Sequence, residues 1–203
     1  MPRLTSTSPL RVALLLLLGL LAMDCVWVQT HPYSSQMWPN RNSGMRPGGN
    51  ACPDSVSTRS SQPDGAETLG ESEYGWKLTA VDGRETTLEE QRGKVVFVNV
   101  WATWCGPCVA EMPGIQALYD STGKQGVAFV LVSEEEPGTV KQFIEQEKYS
   151  FPVFTTSRIP EAFKTRGIPA TFIVNRQGGI AHKHLGSADW NTESCRKFLS
   201  ALL

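Results

Sequence analysis

Residues 98–113 read VNVWATWCGPCVAEMP and place two cysteines, Cys105 and Cys108, three residues apart. The preceding run, Val95 to Trp101, is almost continuously apolar, which is typical of a strand covered on both faces. A helix is expected to follow from about Gly106. By their spacing alone, the two cysteines could be a redox pair, half of a metal site or a structural disulfide.

Cys105 would lie at the N-terminus of that helix, where unpaired backbone N–H groups and the helix dipole favour negative charge. The thiolate is the reactive form of cysteine, so this position favours nucleophilic attack by Cys105. Cys108 lies one turn further along the helix, close enough to pair with Cys105 and to resolve a mixed disulfide. Pro107 suits the first turn, and Gly106 keeps the approach to the sulfur open. These residue types favour reversible thiol–disulfide exchange.

A metal site would need two further ligands. The sequence has no second Cys-x-x-Cys, so the candidate ligands for zinc or copper are His182 and His184, which could equally be ordinary solvent-facing residues. A purely structural disulfide is disfavoured because so small a loop restricts the unfolded chain little. Cys195 fits the apolar face of the last helix and is expected to be an unreactive core residue. Cys52 could form an intermolecular disulfide.

The chain has 203 residues and a formal net charge of −1, with no basic run, which argues against nucleic-acid binding. Residues 1–29 include an apolar run from Val12 to Met23, which is typical of a signal peptide or an N-terminal membrane anchor. Cys25 also allows a lipoprotein anchor, and a buried cytosolic helix is the alternative. We expect an exported protein, in a compartment where disulfides persist.

Residues 30–72 are rich in proline, serine and glycine and have no helical or strand period, so we expect a flexible tether. Residues 73–203 show strand and helix patterns in the order β-β-β-α-β-α-β-β-α. A strand from Tyr74 to Val81 is expected to pair back across the Asp82-Gly83 turn. The last helix is expected to start near Ala188. This order predicts an α/β fold with a mixed central sheet flanked by helices.

The stretch FVNVWATWCGPCVAEMP, with RGIPATFIV about 60 residues later, makes residues 73–203 resemble the thioredoxin superfamily. More narrowly, it resembles the exported thiol–disulfide oxidoreductases of the TlpA/ResA type, whose added N-terminal β-hairpin is similar to LTAVDGRETTLEEQRGKVV. The resemblance implies a thioredoxin fold in which Cys105 attacks and Cys108 resolves. The substrate-binding residues that it implies are Trp104, Gly106, Pro107, Ile168 and Pro169.

The same resemblance implies that Pro169 is cis, which would leave the Ile168 backbone free to pair with a substrate peptide. Asn99 stands where cytosolic thioredoxins carry a buried aspartate, and asparagine cannot relay a proton. Glu111 matches an acidic position of the TlpA/ResA subgroup and shares a helix face with Cys108. Our hypothesis is that Glu111 handles the proton of Cys108 during exchange; the alternative is a surface glutamate favoured near a helix N-terminus.

The resemblance implies an extracytoplasmic protein disulfide oxidoreductase, in the periplasm or on the outer face of the membrane. Its expected reaction is the reduction of disulfides in protein substrates such as apocytochrome c or copper-site cysteines. A membrane thiol-transfer protein would supply electrons, since no Gly-x-Gly-x-x-Gly motif follows a strand and we expect no cofactor and no resident metal. The alternatives are a disulfide oxidase or isomerase, and a copper metallochaperone that uses Cys105, Cys108 and a histidine.

Overall fold

The computed structural model describes residues 48–53 and 67–203. The strands in these two ranges are β1 (Gly48–Asn50), β2 (Lys77–Ala80), β3 (Glu85–Thr87), β4 (Val95–Val100), β5 (Val127–Ser133), β6 (Val153–Thr155), β7 (Ala170–Val174), β8 (Ile180–Leu185) and β9 (Ala188–Asp189). The α-helices there are α1 (Glu71–Tyr74), α2 (Gly106–Thr122), α3 (Pro137–Glu147) and α4 (Glu193–Leu202).

Seven of the described strands form one mixed sheet in the order β3-β2-β6-β5-β4-β7-β8. β4 runs parallel to β5 and antiparallel to β7, and all its residues are buried. Its side chains alternate between two apolar cores: Val95 and Phe97 pack with α2 and α4, whereas Val96 and Val98 enter the core on the opposite face. The predicted α/β fold with a mixed sheet and flanking helices is therefore confirmed.

α2 begins directly after Cys105 and presents one buried face to the sheet. Pro107 lies in its first turn, where the missing N–H has no intrahelical partner to lose. The buried residues of α2 recur at intervals of three and four, which is the helical period, and are Cys108, Glu111, Met112, Ile115, Leu118 and Thr122. A polar residue, Glu111, thus shares the face that packs on β4.

The two ends of the predicted domain differ from the sequence-based expectation. β2 pairs with β3 across the Asp82-Gly83 turn, but it begins at Lys77 because residues 71–74 form α1. At the other end, α4 begins at Glu193 and not near Ala188, since Thr192 caps it and accepts a hydrogen bond from the Cys195 N–H at 3.2 Å. The residues before Thr192 are therefore not helical, and Ala188–Asp189 form β9.

Residues 48–53, which we call the strap, lie inside the stretch predicted to be a flexible tether, yet they pack on the end of the domain. β1 pairs in parallel with β9, and the carbonyl oxygen of Ala51 lies 2.7 Å from His182 Nε2. Cys52 is buried and forms a disulfide with Cys195 of α4. The prediction that Cys195 lies in the core is confirmed, but the prediction that it is unreactive is wrong, and Cys52 pairs within the chain rather than with another molecule. The two cysteines are 143 residues apart, and only the fold brings them together.

The predicted signal peptide or anchor, residues 1–29, lies outside the described residues together with Cys25. Residues 30–47 and 54–66 of the predicted tether are outside them as well. Within 48–53 and 67–203, no helix has the length and apolar character needed to cross a membrane.

Loss of the strap disulfide should destabilise the fold. In Cys52→Ala/Cys195→Ala, we expect the free energy of unfolding to fall by about 2–4 kcal/mol, because the disulfide closes a long loop in the unfolded chain. Urea denaturation under non-reducing conditions, followed by tryptophan fluorescence, measures this difference. The control is Cys105→Ala/Cys108→Ala, which opens a loop of only three residues' separation and should lose less. Equal stability of the wild type and Cys52→Ala/Cys195→Ala would contradict an intramolecular bond.

Candidate active site

The cysteine pair lies at the N-terminus of α2 and is closed as a disulfide. Cys105 is the N-cap residue, and its Sγ accepts a hydrogen bond from the backbone N–H of Cys108 at 3.3 Å. The positive end of the helix dipole is at the same place. The hydrogen bond and the helix dipole both stabilise negative charge on the Cys105 sulfur when the disulfide opens, which favours thiolate chemistry there.

The Ile168–Pro169 peptide bond is cis, as the resemblance implied. The carbonyl oxygen of Ile168 lies 3.8 Å from Cys105 Sγ, so this loop faces the sulfur from the start of β7. Trp104, next to Cys105, is 69% exposed, and Leu185 is the other exposed large apolar residue in the described part of the chain. Leu185 pairs with the residue after Pro169. An apolar surface therefore borders the cysteine pair. Gly106 and Pro107, which lie between the two cysteines, form the start of α2.

Glu135, just after β5, holds the loop that leads from β4 to Cys105. Its carboxylate accepts hydrogen bonds from the N–H of Thr103 at 2.7 Å and from its Oγ1 at 2.7 Å. The hydroxyl of Ser133 donates to the same carboxylate at 2.9 Å. Glu135 was not predicted, because it lies in a run of three glutamates and no local feature distinguishes it from its two neighbours.

Glu111 is 1% exposed, so the surface alternative is wrong. Asn99 Nδ2 donates to Oε1 of Glu111 at 2.9 Å. Trp190 Nε1 donates to Oε2 at 2.9 Å, and the backbone N–H of Ala188 donates to the same oxygen at 3.1 Å. All of these groups are donors, so the site matches the ionised carboxylate. Trp190 and Ala188 were not predicted, because the sequence placed Ala188 in a helix.

Burial opposes the ionisation that these donors favour. Desolvation raises the pKa of Glu111 from its ordinary value of 4.5 to about 7, although hydrogen bonds from Trp190, Asn99 and the Ala188 backbone offset part of the effect. A carboxyl group with a pKa near neutrality can accept and release a proton under physiological conditions. Glu111 lies three residues after Cys108 on the same buried helix face.

Asn99 is positioned by the alternation of β4, which turns its side chain toward α2 and opposite Thr171 of β7. Its Nδ2 also donates to Thr171 Oγ1 at 2.9 Å. The buried Oδ1 has no hydrogen-bond partner among the residues that the structure describes. The amide therefore acts here through its N–H groups, as a donor to the Glu111 carboxylate.

The structure does not assemble the metal site considered from the sequence. His182 and His184 lie on β8, and their rings contact Phe198 and Trp190, respectively. Both histidines are half-buried, in contrast to the solvent-facing alternative. In residues 48–53 and 67–203, no group of three His, Cys, Asp or Glu side chains is placed to hold a metal ion.

Glu111 should make stability depend on pH. Its pKa is raised in the folded protein, so the folded state keeps a proton that the unfolded chain loses between pH 4.5 and about 7. Protonated Glu111 therefore contributes its full stabilisation below that window. As the pH rises through the window, the free energy of unfolding falls by roughly 3 kcal/mol. We expect the free energy of unfolding of Glu111→Gln to lack this fall.

Urea denaturation of oxidised protein at about pH 5 and about pH 8 measures the effect. Glu145→Gln is the matched control, because Glu145 is exposed on α3 and should leave the wild-type pH dependence intact. If the free energy of unfolding of Glu111→Gln falls between these two pH values as much as that of the wild type, another group causes the fall.

Comparison with known proteins places this geometry in a family. Residues 48–199 match the Redoxin family. The thiol-disulfide oxidoreductase ResA of Halalkalibacterium halodurans is 35% identical over 120 residues, which are 58% of this chain and 68% of that relative. ResA of Geobacillus thermodenitrificans is 35% identical over 118 residues, which are 57% of this chain and 68% of that relative.

Solved structures show the same fold. A thiol:disulfide interchange protein of the thioredoxin family from Chlorobium tepidum TLS aligns with a TM-score of 0.54 at 23% identity, over 63% of this chain and 92% of that one. StoA from Bacillus subtilis aligns with a TM-score of 0.51 at 24% identity, over 59% and 92% of the two chains. The fold, the cysteine pair at the start of α2 and the sequence matches lead to one conclusion: this chain belongs to the Redoxin family and is a thioredoxin-fold thiol–disulfide oxidoreductase of the ResA type.

Proposed function

We propose that this protein reduces disulfide bonds of protein substrates outside the cytoplasm, with Cys105 as the attacking thiolate and Cys108 as the resolving thiol. The observation that carries the proposal is the position of the Cys105 sulfur, which caps α2 and lies beside the cis Ile168–Pro169 bond. Exposed Trp104 precedes Cys105, whereas Cys108 lies a turn deeper in the helix. A substrate therefore meets Cys105 first.

The reaction begins from the dithiol form. The Cys105 thiolate attacks one sulfur of the substrate disulfide, which forms a mixed disulfide and releases the other substrate sulfur as a thiolate. Cys108 then loses its proton and attacks the Cys105 sulfur. This step closes the Cys105–Cys108 disulfide and releases the second substrate thiolate. Two electrons pass from the protein dithiol to the substrate, and the protein is left with the Cys105–Cys108 disulfide, the form in which the structure holds the pair.

Substrate binding is proposed at the apolar surface that borders Cys105. Trp104 offers an exposed flat ring, Gly106 and Pro107 follow the largely buried Cys105, and the carbonyl oxygen of Ile168 faces the Cys105 sulfur. An extended peptide can pair with such a backbone segment in the manner of an added strand. This mode recognises main chain rather than particular side chains, so it suits several different protein substrates.

Glu111 is proposed to accept the proton of Cys108 in the resolving step. Its pKa of about 7 lets it hold a proton at the end of that step and release it afterwards. The Asn99 amide cannot take this role, because it donates hydrogen bonds and does not titrate. Glu111 is also the buried acidic side chain on the same helix face as Cys108.

The proposed location rests on two features. The N-terminal apolar run is typical of an export segment or membrane anchor. The Cys52–Cys195 disulfide is separate from the Cys105–Cys108 pair, and it is a stabilising bond of the kind that persists in oxidising compartments. Within this proposal, apocytochrome c or copper-site cysteines are the substrates, and a membrane thiol-transfer protein returns electrons to the Cys105–Cys108 disulfide.

The direction of the reaction is tested by the midpoint potential of the cysteine pair. We expect a value near the roughly −270 mV of thioredoxin, as measured by equilibration with glutathione. The titration uses both the wild type and Cys25→Ala/Cys52→Ala/Cys195→Ala, in which only the active-site pair contributes to the signal. A value near the roughly −120 mV of a strong oxidant would overturn the reductive proposal and favour the oxidase alternative.

The role of Glu111 is tested by the rate of the resolving step. In Glu111→Gln, we expect the release of substrate from the mixed disulfide to slow by about 10²-fold, because the side chain can no longer accept a proton. The wild-type rate should rise through about pH 7 as Glu111 ionises, and this rise should vanish in the variant. Rapid acid quenching and mass spectrometry follow the intermediate. Superimposable pH profiles of Glu111→Gln, wild type and the Glu145→Gln control would exclude the role.

A further inference from the structure

The segment from Ala188 to Trp190 brings two of the hydrogen-bond donors to Glu111, both to Oε2. Trp190 is fully buried and cannot easily reorient. Its ring meets Phe97 edge-on at 5.1 Å and His184 edge-on at 5.7 Å between centroids. The direction of its indole N–H is thus set by these two ring contacts.

α2 closes on this segment from one side. Gly114, one turn after Glu111, lies so close that a Cβ atom there would meet the Trp190 backbone nitrogen at 3.5 Å. The strap contacts the same segment through the parallel pairing of β1 with β9. The segment that carries these donors to Glu111 therefore contacts both α2 and the strap.

The strap needs more than its backbone pairing to stay in place. β9 has two residues and β1 has three, and an isolated pair of strands this short is not stable in water. Two further contacts secure the strap: the Ala51 carbonyl oxygen to His182 Nε2, and the disulfide between Cys52 and Cys195. The disulfide joins the strap to the first turn of α4, only a few residues beyond Trp190.

We propose that the strap is a positioning element for the active site: the Cys52–Cys195 disulfide locks it over β9, and it thereby holds Ala188 and Trp190 in place as donors to Glu111. Trp190 is accordingly a positioning residue that acts through Glu111. The second disulfide stays closed during exchange and passes no electrons. By locking the strap, this bond instead keeps the donors to Glu111 in place and so favours the ionised form of Glu111.

The surroundings of Glu111 allow its titration to be isolated. The titratable residues on the elements packed against it are Cys108, Tyr119 and Asp120 on α2, His182, Lys183 and His184 on β8, and Asp189 on β9. Cys108 does not titrate in the oxidised protein. Burial and the neighbouring His182 lower the pKa of His184. Asp189 accepts a hydrogen bond from the Asn191 N–H at 3.0 Å and is exposed.

The test is an NMR titration of the oxidised protein with ¹³C-labelled glutamate carboxyl groups, in which Glu111→Gln assigns the signal. In Trp190→Phe, we expect the pKa of Glu111 to rise by roughly one unit, because a hydrogen bond to the ionised form is lost. Trp76→Phe is the matched control. Trp76 is also buried, but its indole N–H donates to Thr156 Oγ1 in the opposite core, so the pKa of Glu111 should not change. An unchanged or lowered pKa in Trp190→Phe would overturn the role of Trp190.

The strap is tested in Cys52→Ala/Cys195→Ala. We expect the pKa of Glu111 to rise there too, and the Trp190 indole N–H to exchange with solvent on the order of tenfold faster than in the wild type. An unchanged pKa and unchanged exchange would overturn the proposal. The wild type gives a test that needs no folded variant: the Trp190 indole signal must shift with the titration of Glu111, and a flat signal would overturn it.

This inference deepens the proposed function, because it assigns to the strap an effect on the group that would take the Cys108 proton. All of its measurements are made without turnover. If Glu111→Gln leaves the resolving step unchanged while Trp190→Phe still raises the pKa of Glu111, the proton-transfer role fails and the positioning role stands. If Glu111→Gln slows the resolving step but Trp190→Phe leaves the pKa of Glu111 unchanged, the positioning role fails and the proton-transfer role stands.

Discussion

The burial of the Glu111 carboxylate is the constraint on which the arrangement of this site depends. Within the described residues, hydrogen bonds rather than a cation compensate for its desolvation, and the compensation is partial, so the pKa remains about 7. The donors come from β4 and from the segment at Ala188 to Trp190. A shift of either element would leave an ionised carboxylate with fewer hydrogen-bond donors in the core. The position of α2 on the sheet and the path of the chain before α4 are therefore linked.

The two disulfides differ in the length of chain that they close, and this difference separates their physical effects. Cys105 and Cys108 are three residues apart, so opening their bond changes the entropy of the unfolded chain little. The pair can be reduced and oxidised while the domain stays folded. Cys52 and Cys195 are 143 residues apart, so their bond restricts the unfolded chain strongly. The Cys105–Cys108 bond therefore suits repeated reduction and oxidation, and the Cys52–Cys195 bond suits stabilisation of the fold.

Local patterns were sufficient to predict the elements that carry the cysteine pair. The apolar run after Lys94 indicated a buried strand, and Gly106 with Pro107 indicated the start of a helix. The cis bond before Pro169 followed from the resemblance and not from local chemistry. Patterns failed near Ala188, because Thr192 caps the last helix and the residues before it gain their structure from the strap. No local property of a segment that short predicts a strand.

The sequence by itself determined the α/β fold, the position of the cysteine pair at a helix N-terminus and the presence of an acidic residue one turn further on. These features depend on the order of residues along one strand and one helix, where spacing dictates which side chains share a face. Only the tertiary structure decided that Glu111 is buried, that Trp190 and the Ala188 backbone donate to it, and that Cys52 pairs with Cys195. Desolvation and hydrogen bonding are set by neighbours that are distant along the chain, and those neighbours exist only once the chain has folded.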